Sequence, residues 1–142
     1  MYGKLSSSFG ISSGVRQGCP ISPFLFNFLI DDVLQNALSG LPDCSVELLL
    51  GNRVSDLEYA DDIALLGDNT QALQKALDRL AIEASRYGMH FGPSKCKVLV
   101  QDWQGPVPAF ILGGAALDVV DSFVYLGSCI TAGGCIGDEV IA

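Results

Sequence analysis

The sequence predicts a single α+β domain over residues 1–142. Two stretches have the apolar periodicity of helices, and several short runs of strand-forming residues lie between Gly and Pro. With 142 residues, of which 49% are hydrophobic, the chain is long enough to bury one core. The alternation of short strands with two helices is typical of helices layered on a sheet.

The first part of the chain predicts a strand, a loop and a helix. Residues 6–11 have strand character, and residues 12–22 form a loop that contains Gly and Pro. Ser22-Pro23 is a typical helix start, with Ser as the N-cap and Pro at the first helical position. The helix is expected to run to about Leu38. Its first half is apolar on nearly every face, so we expect that half to be buried against a sheet.

The middle of the chain predicts two successive reversals. Residues 46–50 and 53–59 are expected to form a hairpin, because the Gly51-Asn52 pair between them suits a two-residue turn. Residues 63–66 then resume as a strand. The segment between Tyr59 and Ile63 must therefore turn tightly.

A second helix and three further strands follow. Asp68 or Asn69 is expected to cap the helix at its start, and Gly88 to close it. The apolar residues recur at three-and-four spacing: Leu73, Ala76, Leu77, Leu80, Ala84 and Tyr87. The expected strands are 97–100, 110–112 and 123–126.

The charge balance argues against a protein that binds nucleic acid unaided. Sixteen acidic residues against eight basic ones give a net charge of -8, whereas phosphate affinity comes mainly from Lys and Arg. A net charge of -8 is compatible with nucleic-acid binding if the acids hold metal ions and if the basic surface lies on other parts of the protein.

The cysteine spacing and the hydropathy of the apolar segments indicate the kind of compartment in which the protein is expected. The five cysteines include no CxxC pair, so neither a zinc site nor a disulfide framework is expected. The apolar run at residues 24–30 is too short to span a bilayer, and the first residues do not resemble a secretory signal. We therefore expect an intracellular protein of the nucleus or cytoplasm, neither secreted nor membrane-spanning.

The densest acidic feature is the YADD tetrapeptide at residues 59–62, at the predicted reversal. Adjacent carboxylates repel each other unless cations lie between them. Mg²⁺ prefers such oxygen ligands and completes its shell with water and substrate phosphate. Taken alone, however, paired acids in a turn are more often simply solvated.

Three other motifs favour a functional role for YADD over simple solvation, since they follow one another in a fixed order around it. They are RQGCPISPFLFN at residues 16–27, GPSKCK at 92–97 and FVYLG at 123–127. Together the four motifs closely resemble the successive palm motifs of non-LTR (LINE-type) retrotransposon reverse transcriptases. The resemblance covers nearly the whole chain, and it implies a palm with an antiparallel sheet and two packed helices. It also implies an RNA-directed DNA polymerase that uses Mg²⁺, an RNA template, a DNA primer and deoxynucleotide triphosphates.

The resemblance also implies catalytic roles for individual residues. Asp61 and Asp62 resemble the catalytic, metal-binding carboxylates of an enzyme that uses two ions in the intact parent. Asp61 corresponds to the direct metal ligand, and Asp62 to its neighbour, which supports either the second ion or the primer end. Lys95 resembles the motif lysine near the triphosphate, where a cation can balance the departing pyrophosphate. Lys97 is its rival, and a plain surface lysine is the alternative for either.

Substrate-contacting segments are implied in the same way. Gln17 and Gly18 resemble the loop that lies against the incoming nucleotide and the template, with Tyr59 and Ala60 beside it; an ordinary turn before a helix is the alternative for Gly18. Arg16 is expected to contact phosphate, and a solvated arginine is the alternative. The primer-gripping hairpin corresponds to Tyr125, Leu126 and Gly127, although aromatic residues there also suit ordinary sheet packing.

One departure from the pattern bears on activity. The family's first palm motif, which supplies another metal-binding Asp upstream of the Gln17 loop, has no counterpart before Ser12. We therefore expect a palm segment truncated at both ends, which binds Mg²⁺ weakly and is inactive by itself. The alternative is a retroelement remnant that acts at most as a binding or scaffold module. Gly92 also stands where related elements often carry Asn.

Overall fold

The computed structural model describes residues 18–41, 45–47 and 51–133. It contains two α-helices, α1 (Ser22–Leu38) and α2 (Thr70–Arg86), and ten short strands within these ranges. The strands are β1 (Val46–Glu47), β2 (Arg53–Val54), β3 (Asp56–Tyr59), β4 (Asp62–Leu65), β5 (Lys97–Leu99), β6 (Ile111–Leu112), β7 (Ala115–Ala116), β8 (Asp118–Val120), β9 (Ser122–Tyr125) and β10 (Ser128–Thr131). The predicted α+β class with two helices is confirmed, whereas the predicted strand at residues 6–11 lies outside the described residues.

The strands pair two by two rather than as one continuous sheet. Within the described residues they form five two-stranded sheets: β1-β2, β3-β4, β5-β8, β6-β7 and β9-β10. Four pairs are antiparallel hairpins, and β5 pairs with β8 in parallel. The β6-β7 hairpin lies in the chain between β5 and β8. No local sequence signal specifies the pairing of these two distant strands.

The two helices pack against each other and form the main core. The buried residues of this core are Ile30, Val33, Leu34, Ala37, Leu80 and Ala84. Ile63 and Leu65 of β4 pack against the same cluster. Two contacts connect the helices at their surface: the Tyr87 hydroxyl donates to Asp32 at 2.6 Å, and Arg79 donates to the Ser39 carbonyl oxygen at 2.8 Å.

The start of α1 differs from the prediction in two respects. Ile21, not Ser22, is the N-cap residue, and no side-chain capping hydrogen bond is made. The expectation that the apolar first half is buried is wrong for three of its large residues, since Phe24, Leu25 and Phe28 are 64%, 53% and 60% exposed. The partner of α1 is mainly α2, which covers only the opposite side of the helix.

The predicted ends of α2 are confirmed. The Asn69 side chain accepts hydrogen bonds from the backbone N–H groups of Gln71 and Ala72 at 3.0 and 3.1 Å. At the other end Gly88 has a φ of +74°. Its N–H donates to the Ser85 oxygen and that of Met89 to the Ala84 oxygen, which is the Schellman arrangement. The buried stripe of α2 is Ala72, Ala76, Leu80 and Ala84. Leu80 and Ala84 belong to the core shared with α1, whereas Ala72 and Ala76 form a second cluster against Leu38, Leu41 and Leu65. Leu73 and Leu77 are half-buried, and Tyr87 is exposed.

The first predicted hairpin exists, but its register differs from the prediction. Val46 pairs with Val54 and Glu47 with Arg53. A two-residue turn at Gly51-Asn52 would instead pair residue 50 with Arg53, so the register differs from the predicted one. The second strand is also interrupted at Ser55, which separates β2 from β3.

Three strands of the last third were not predicted: β7, β8 and β10. The sequence does contain a signal for β7, the Gly113-Gly114 pair, because two glycines suit a two-residue hairpin turn. In the structure they have φ values of +58° and +84° and form the turn between β6 and β7. Gln74 of α2 fixes this hairpin, since its amide donates to the Ile111 oxygen at 2.8 Å and accepts from the Ile111 N–H at 2.9 Å.

Candidate active site

The YADD tetrapeptide forms the tip of the β3-β4 hairpin. Tyr59 pairs directly with Asp62, so Ala60 and Asp61 are the two residues of the turn. Ala60 has a φ of +53°, a left-handed conformation that non-glycine residues adopt at a cost. The reversal predicted from the sequence is confirmed. All four residues are exposed, which leaves both carboxylates accessible to solvent and to a ligand.

The two faces of this hairpin have different environments. Side chains of directly opposed residues project to the same face, and successive residues alternate. Ile63 and Leu65 therefore face the helical core, against which they pack. Tyr59 and Asp62 lie on the other face, where the Tyr59 side chain is 65% exposed. One face of the hairpin therefore packs on the core, and its acidic tip is exposed to solvent.

Arg53 of β2 contacts Ser45, which precedes β1, and Asp68, which follows β4. Its guanidinium donates to the Ser45 hydroxyl at 2.7 Å and to the Ser45 carbonyl oxygen at 2.6 Å, and it lies 3.6 Å from Asp68. The N–H of Leu66 donates to the Ser55 oxygen at 2.7 Å, which extends the β3-β4 ladder. Sequence reasoning assigned no role to Arg53, because its partners lie in separate segments.

More carboxylates lie behind the hairpin, between β3 and α1. A concavity of about 260 Å³ is lined by Asp31, Asp56 and Glu58, together with Leu34, Gln35 and Leu38. Asp56 accepts a hydrogen bond from the Ser55 hydroxyl at 2.6 Å. No group of three or more His, Cys, Asp or Glu residues in the described ranges is arranged to hold a metal ion. The tip of the hairpin therefore offers two carboxylates rather than a complete ligand set.

The two candidate lysines have different environments. The Lys97 amino group forms an ion pair with Asp118 at 2.7 Å, across the parallel β5-β8 pair in which the two residues are register partners. The hydrogen bond from Lys97 lowers the pKa of the Asp118 carboxyl. Lys95 is exposed and forms no ion pair with a described residue. Its N–H donates to the Gly92 oxygen at 2.8 Å, so the turn that carries Lys95 is ordered by Gly92.

The other predicted contact segments are only partly described. Arg16 and Gln17 lie outside the described residues. Gly18 is exposed with a φ of +84°, a conformation that favours glycine. Cys19 follows at the start of α1, where the backbone N–H groups of Ile21 and Ser22 lower the pKa of its thiol.

The FVYLG motif forms the hairpin that the family resemblance implies, and the strand predicted at 123–126 is observed as Ser122–Tyr125. Tyr125 pairs with Ser128, and the intervening Leu126 and Gly127 have φ values of +50° and +84°. Positive φ at both positions is the two-residue turn whose twist matches that of the flanking strands. Leu126 is 52% exposed at the tip. Tyr125 makes an edge-on ring contact with Phe123 at a centroid distance of 6.5 Å.

Two exposed hairpin tips, one of them acidic, lie on short strands that alternate with a pair of packed helices, an α+β arrangement that fits a segment of a polymerase palm. The family model for reverse transcriptase (RNA-dependent DNA polymerase) matches residues 1–130. The chain belongs to the reverse transcriptase family.

Its relatives place the chain in the non-LTR branch. It is 37% identical over 86 residues to the retrovirus-related Pol polyprotein from type-1 retrotransposable element R2 of Nasonia vitripennis, which covers 61% of the chain and 8% of that protein. The protein of the same name from Popillia japonica is 28% identical over 93% of the chain and 23% of its own length. The RNA-directed DNA polymerase from mobile element jockey of Drosophila funebris is 32% identical over 82% of the chain and 13% of its own length.

The chain spans between 8% and 23% of the length of these three proteins. Of the helices in the described ranges, neither has the length and apolar character needed to cross a bilayer.

Proposed function

We propose that the chain is the catalytic palm segment of an RNA-directed DNA polymerase, and that Asp61 and Asp62 are its catalytic carboxylates. The observation that carries this proposal is the exposed YADD tip on a hairpin whose other face packs on the helical core. Pre-positioned charge that needs no reorganisation is the main means by which enzymes stabilise charge developing in a transition state.

The donor set at the tip suits Mg²⁺. Mg²⁺ usually takes one or two protein carboxylates and fills its octahedral shell with water and substrate phosphates. Asp61 and Asp62 are the residues that would hold it, and when bound the metal would lower the pKa of a 3′-hydroxyl and balance charge on phosphate. The described residues contain no third ligand at this place, so we expect weak metal binding by the chain alone.

The remaining site residues are assigned to the substrates. Lys95, exposed and unpaired within the described residues, would neutralise or protonate the departing pyrophosphate. Arg16, Gln17 and Gly18 would lie against the incoming nucleotide and template, with Tyr59 and Ala60 beside them. Tyr125, Leu126 and Gly127 would grip the primer. The RNA template, DNA primer and deoxynucleotide triphosphates are thus the proposed partners.

The decisive experiment is RNA-templated primer extension by the chain within its full open reading frame. Asp61→Asn is expected to lower the extension rate by about 10² to 10³, the range seen when one preorganised group is removed from a charged transition state. Asp78→Asn is the matched control, because Asp78 is an exposed carboxylate on α2 remote in sequence from the hairpin. Equal activity of wild type and Asp61→Asn would refute the assignment.

Metal binding by the 142-residue chain gives a second measurement that needs no activity. Mn²⁺ broadens NMR signals of nearby nuclei, so we expect amide signals of residues 60–63 to broaden first in a titration. Asp62→Asn and Asp61→Asn should each weaken that effect, and Asp78→Asn should leave it unchanged. Broadening centred on Asp31, Asp56 and Glu58 instead would place the cation behind the hairpin and contradict the proposal.

A further inference from the structure

The hairpin that carries the YADD tip is held by the core mainly through one of its two strands. Ile63 and Leu65 of β4 pack against the helical core, whereas three of the four residues of β3 are exposed. On the side of α1, β3 borders the concavity of about 260 Å³. Asp31 of α1 and Asp56 and Glu58 of β3 line that space together, and their like charges repel. Packing therefore restrains β3 less than it restrains β4.

The end of the hairpin remote from the tip, which we call its base, lies where the sheet is interrupted. β2 pairs with β1 and β3 pairs with β4, so the chain over residues 53–59 changes its partner at Ser55. The backbone bond from the Leu66 N–H to the Ser55 oxygen continues the β3-β4 register by one position. In the same register Arg53 lies opposite Asp68, the residue before the N-cap of α2.

Arg53 joins the segments that meet at this interruption. Its guanidinium donates to the Ser45 hydroxyl at 2.7 Å and to the Ser45 carbonyl oxygen at 2.6 Å, and it lies 3.6 Å from Asp68. Ser45 is only 7% exposed, so these short charge-assisted bonds are the stronger restraint, whereas the exposed ion pair with Asp68 contributes less. The planar fork of an arginine can serve acceptors on two sides at once. The side chain of Arg53 therefore connects the start of β1 with the segment that leaves the hairpin.

We propose that Arg53 is a positioning residue for the carboxylates at the YADD tip, an inference that rests on the catalytic role proposed for Asp61 and Asp62. Arg53 acts through the hairpin, since six residues of extended chain separate it from Tyr59, about 20 Å at roughly 3.3 Å per residue. This distance exceeds the screening length of about 8 Å at physiological ionic strength, so the charge of Arg53 has little direct effect on the carboxylates. Fixing the base limits twisting of the hairpin on the core, and misplacing a reacting group by about 1 Å can lower a rate on the order of 10²-fold.

Primer extension by the full open reading frame separates positioning from substrate binding. At saturating template-primer and Mg²⁺, Arg53→Met should lower kcat about tenfold and leave the KM for the deoxynucleotide within about twofold. The burst amplitude gives the concentration of active enzyme, so a loss of folded protein is not counted as a loss of kcat. Arg79→Met is the matched control, because Arg79 also donates to a backbone carbonyl oxygen, that of Ser39 at 2.8 Å, but lies on α2. It should retain the kcat of the wild type, and equal kcat values for Arg53→Met and Arg79→Met would overturn the proposal.

Arg53→Lys tests the need for the guanidinium fork, and it replaces Arg53→Met if that variant does not fold. Lysine keeps the charge and the flexible stem but offers a single point of contact, so kcat should fall about threefold, between wild type and Arg53→Met. A wild-type kcat in Arg53→Lys would show that charge alone suffices and would contradict the proposal. Asp61→Asn in the same assay distinguishes the two proposals. An inactive Asp61→Asn beside a fully active Arg53→Met refutes only the positioning role, whereas an active Asp61→Asn refutes the catalytic role.

The orientation of the hairpin can also be measured without activity. In the 142-residue chain, N–H residual dipolar couplings report how β3 and β4 are oriented relative to α1 and α2. In the wild type and in Arg79→Met, one alignment should fit the helices and the hairpin together. In Arg53→Met, the couplings of the hairpin should be reduced and should no longer fit the alignment of the helices. Hairpin couplings that still fit it in Arg53→Met would show that Arg53 does not position the tip.

Discussion

The amino group of Lys97 lies 2.7 Å from the carboxylate of Asp118, its register partner on the neighbouring parallel strand. The ion pair gives Lys97 a partner inside the fold, 21 positions away in sequence. Lys95, two residues earlier, is exposed and has no such partner among the described residues. The GPSKCK motif contains both lysines, and we propose Lys95 rather than Lys97 as the cation that would meet the triphosphate, because Lys97 is already paired.

The first prediction separates the two lysines by their effect on catalysis. In the full open reading frame, Lys95→Gln should lower nucleotide incorporation about 10²-fold or more, the usual contribution of a positioned proton donor. Lys97→Gln should lower it far less, because its charge is already balanced by Asp118. Primer-extension rates at saturating nucleotide measure both. A larger loss for Lys97→Gln than for Lys95→Gln would reverse the assignment.

The second prediction concerns the pH dependence of the Lys97–Asp118 pair. The hydrogen bond from Lys97 lowers the pKa of Asp118 in the folded state. A lowered folded pKa stabilises the fold above the unfolded pKa, and this contribution is lost as the pH falls through the folded value. Asp118→Asn should therefore be slightly less stable than wild type at neutral pH, and the difference should vanish in acid. The effect is small because Asp118 is 70% exposed.

Urea unfolding at pH 7, 5 and 3 measures this difference in the free energy of unfolding. Asp121→Asn is the control, since Asp121 is exposed and forms no ion pair with a described residue. A stability difference between wild type and Asp118→Asn that grows towards low pH would have the opposite sign and contradict the prediction.

The third prediction tests the backbone of the YADD turn. Ala60 has a φ of +53°, a conformation that costs a residue with a Cβ about 1 kcal/mol relative to glycine. Ala60→Gly should therefore be neutral or stabilising by up to about 1 kcal/mol, despite the greater entropy of glycine in the unfolded chain. Ala64→Gly, in β4 of the same hairpin, should destabilise by about 0.5–1 kcal/mol.

Thermal unfolding of the two glycine variants compares them directly. Ala64 makes a suitable control because it has the same side chain but is not among the residues with positive φ. Equal destabilisation by both substitutions would mean that the turn does not hold Ala60 in the left-handed region in solution.

The fourth prediction concerns the start of α2, the helix that contributes four of the ten buried hydrophobic residues in the described ranges. Asn69 accepts two backbone hydrogen bonds there. Asn69→Ala should lower the free energy of unfolding by about 1 kcal/mol, as removal of an N-cap side chain does elsewhere. Asn52→Ala, an exposed loop position, should change it by less than about 0.5 kcal/mol. Chemical denaturation measures both, and equal values would show that the cap is not maintained in solution.

Local features of this protein were determined by its sequence. The two helices, the capping by Asn69 and Gly88, and the reversals at YADD and FVYLG were all predictable, because their signals lie within a few residues of the structure they produce. The four ordered motifs also identified the family before the fold was known. The assignment of Asp61 and Asp62 to metal remains a prediction from that resemblance.

The tertiary structure decided what depends on distant segments. The ion pair of Lys97 with Asp118, the anchoring of Arg53 by Ser45 and Asp68, and the parallel pairing of β5 with β8 join residues that no short-range pattern connects. Burial was decided in the same way, since the apolar first half of α1 has two sides to cover and α2 covers only one. Periodicity records which residues can be buried, whereas the partner that buries them is chosen by packing between elements far apart in the chain.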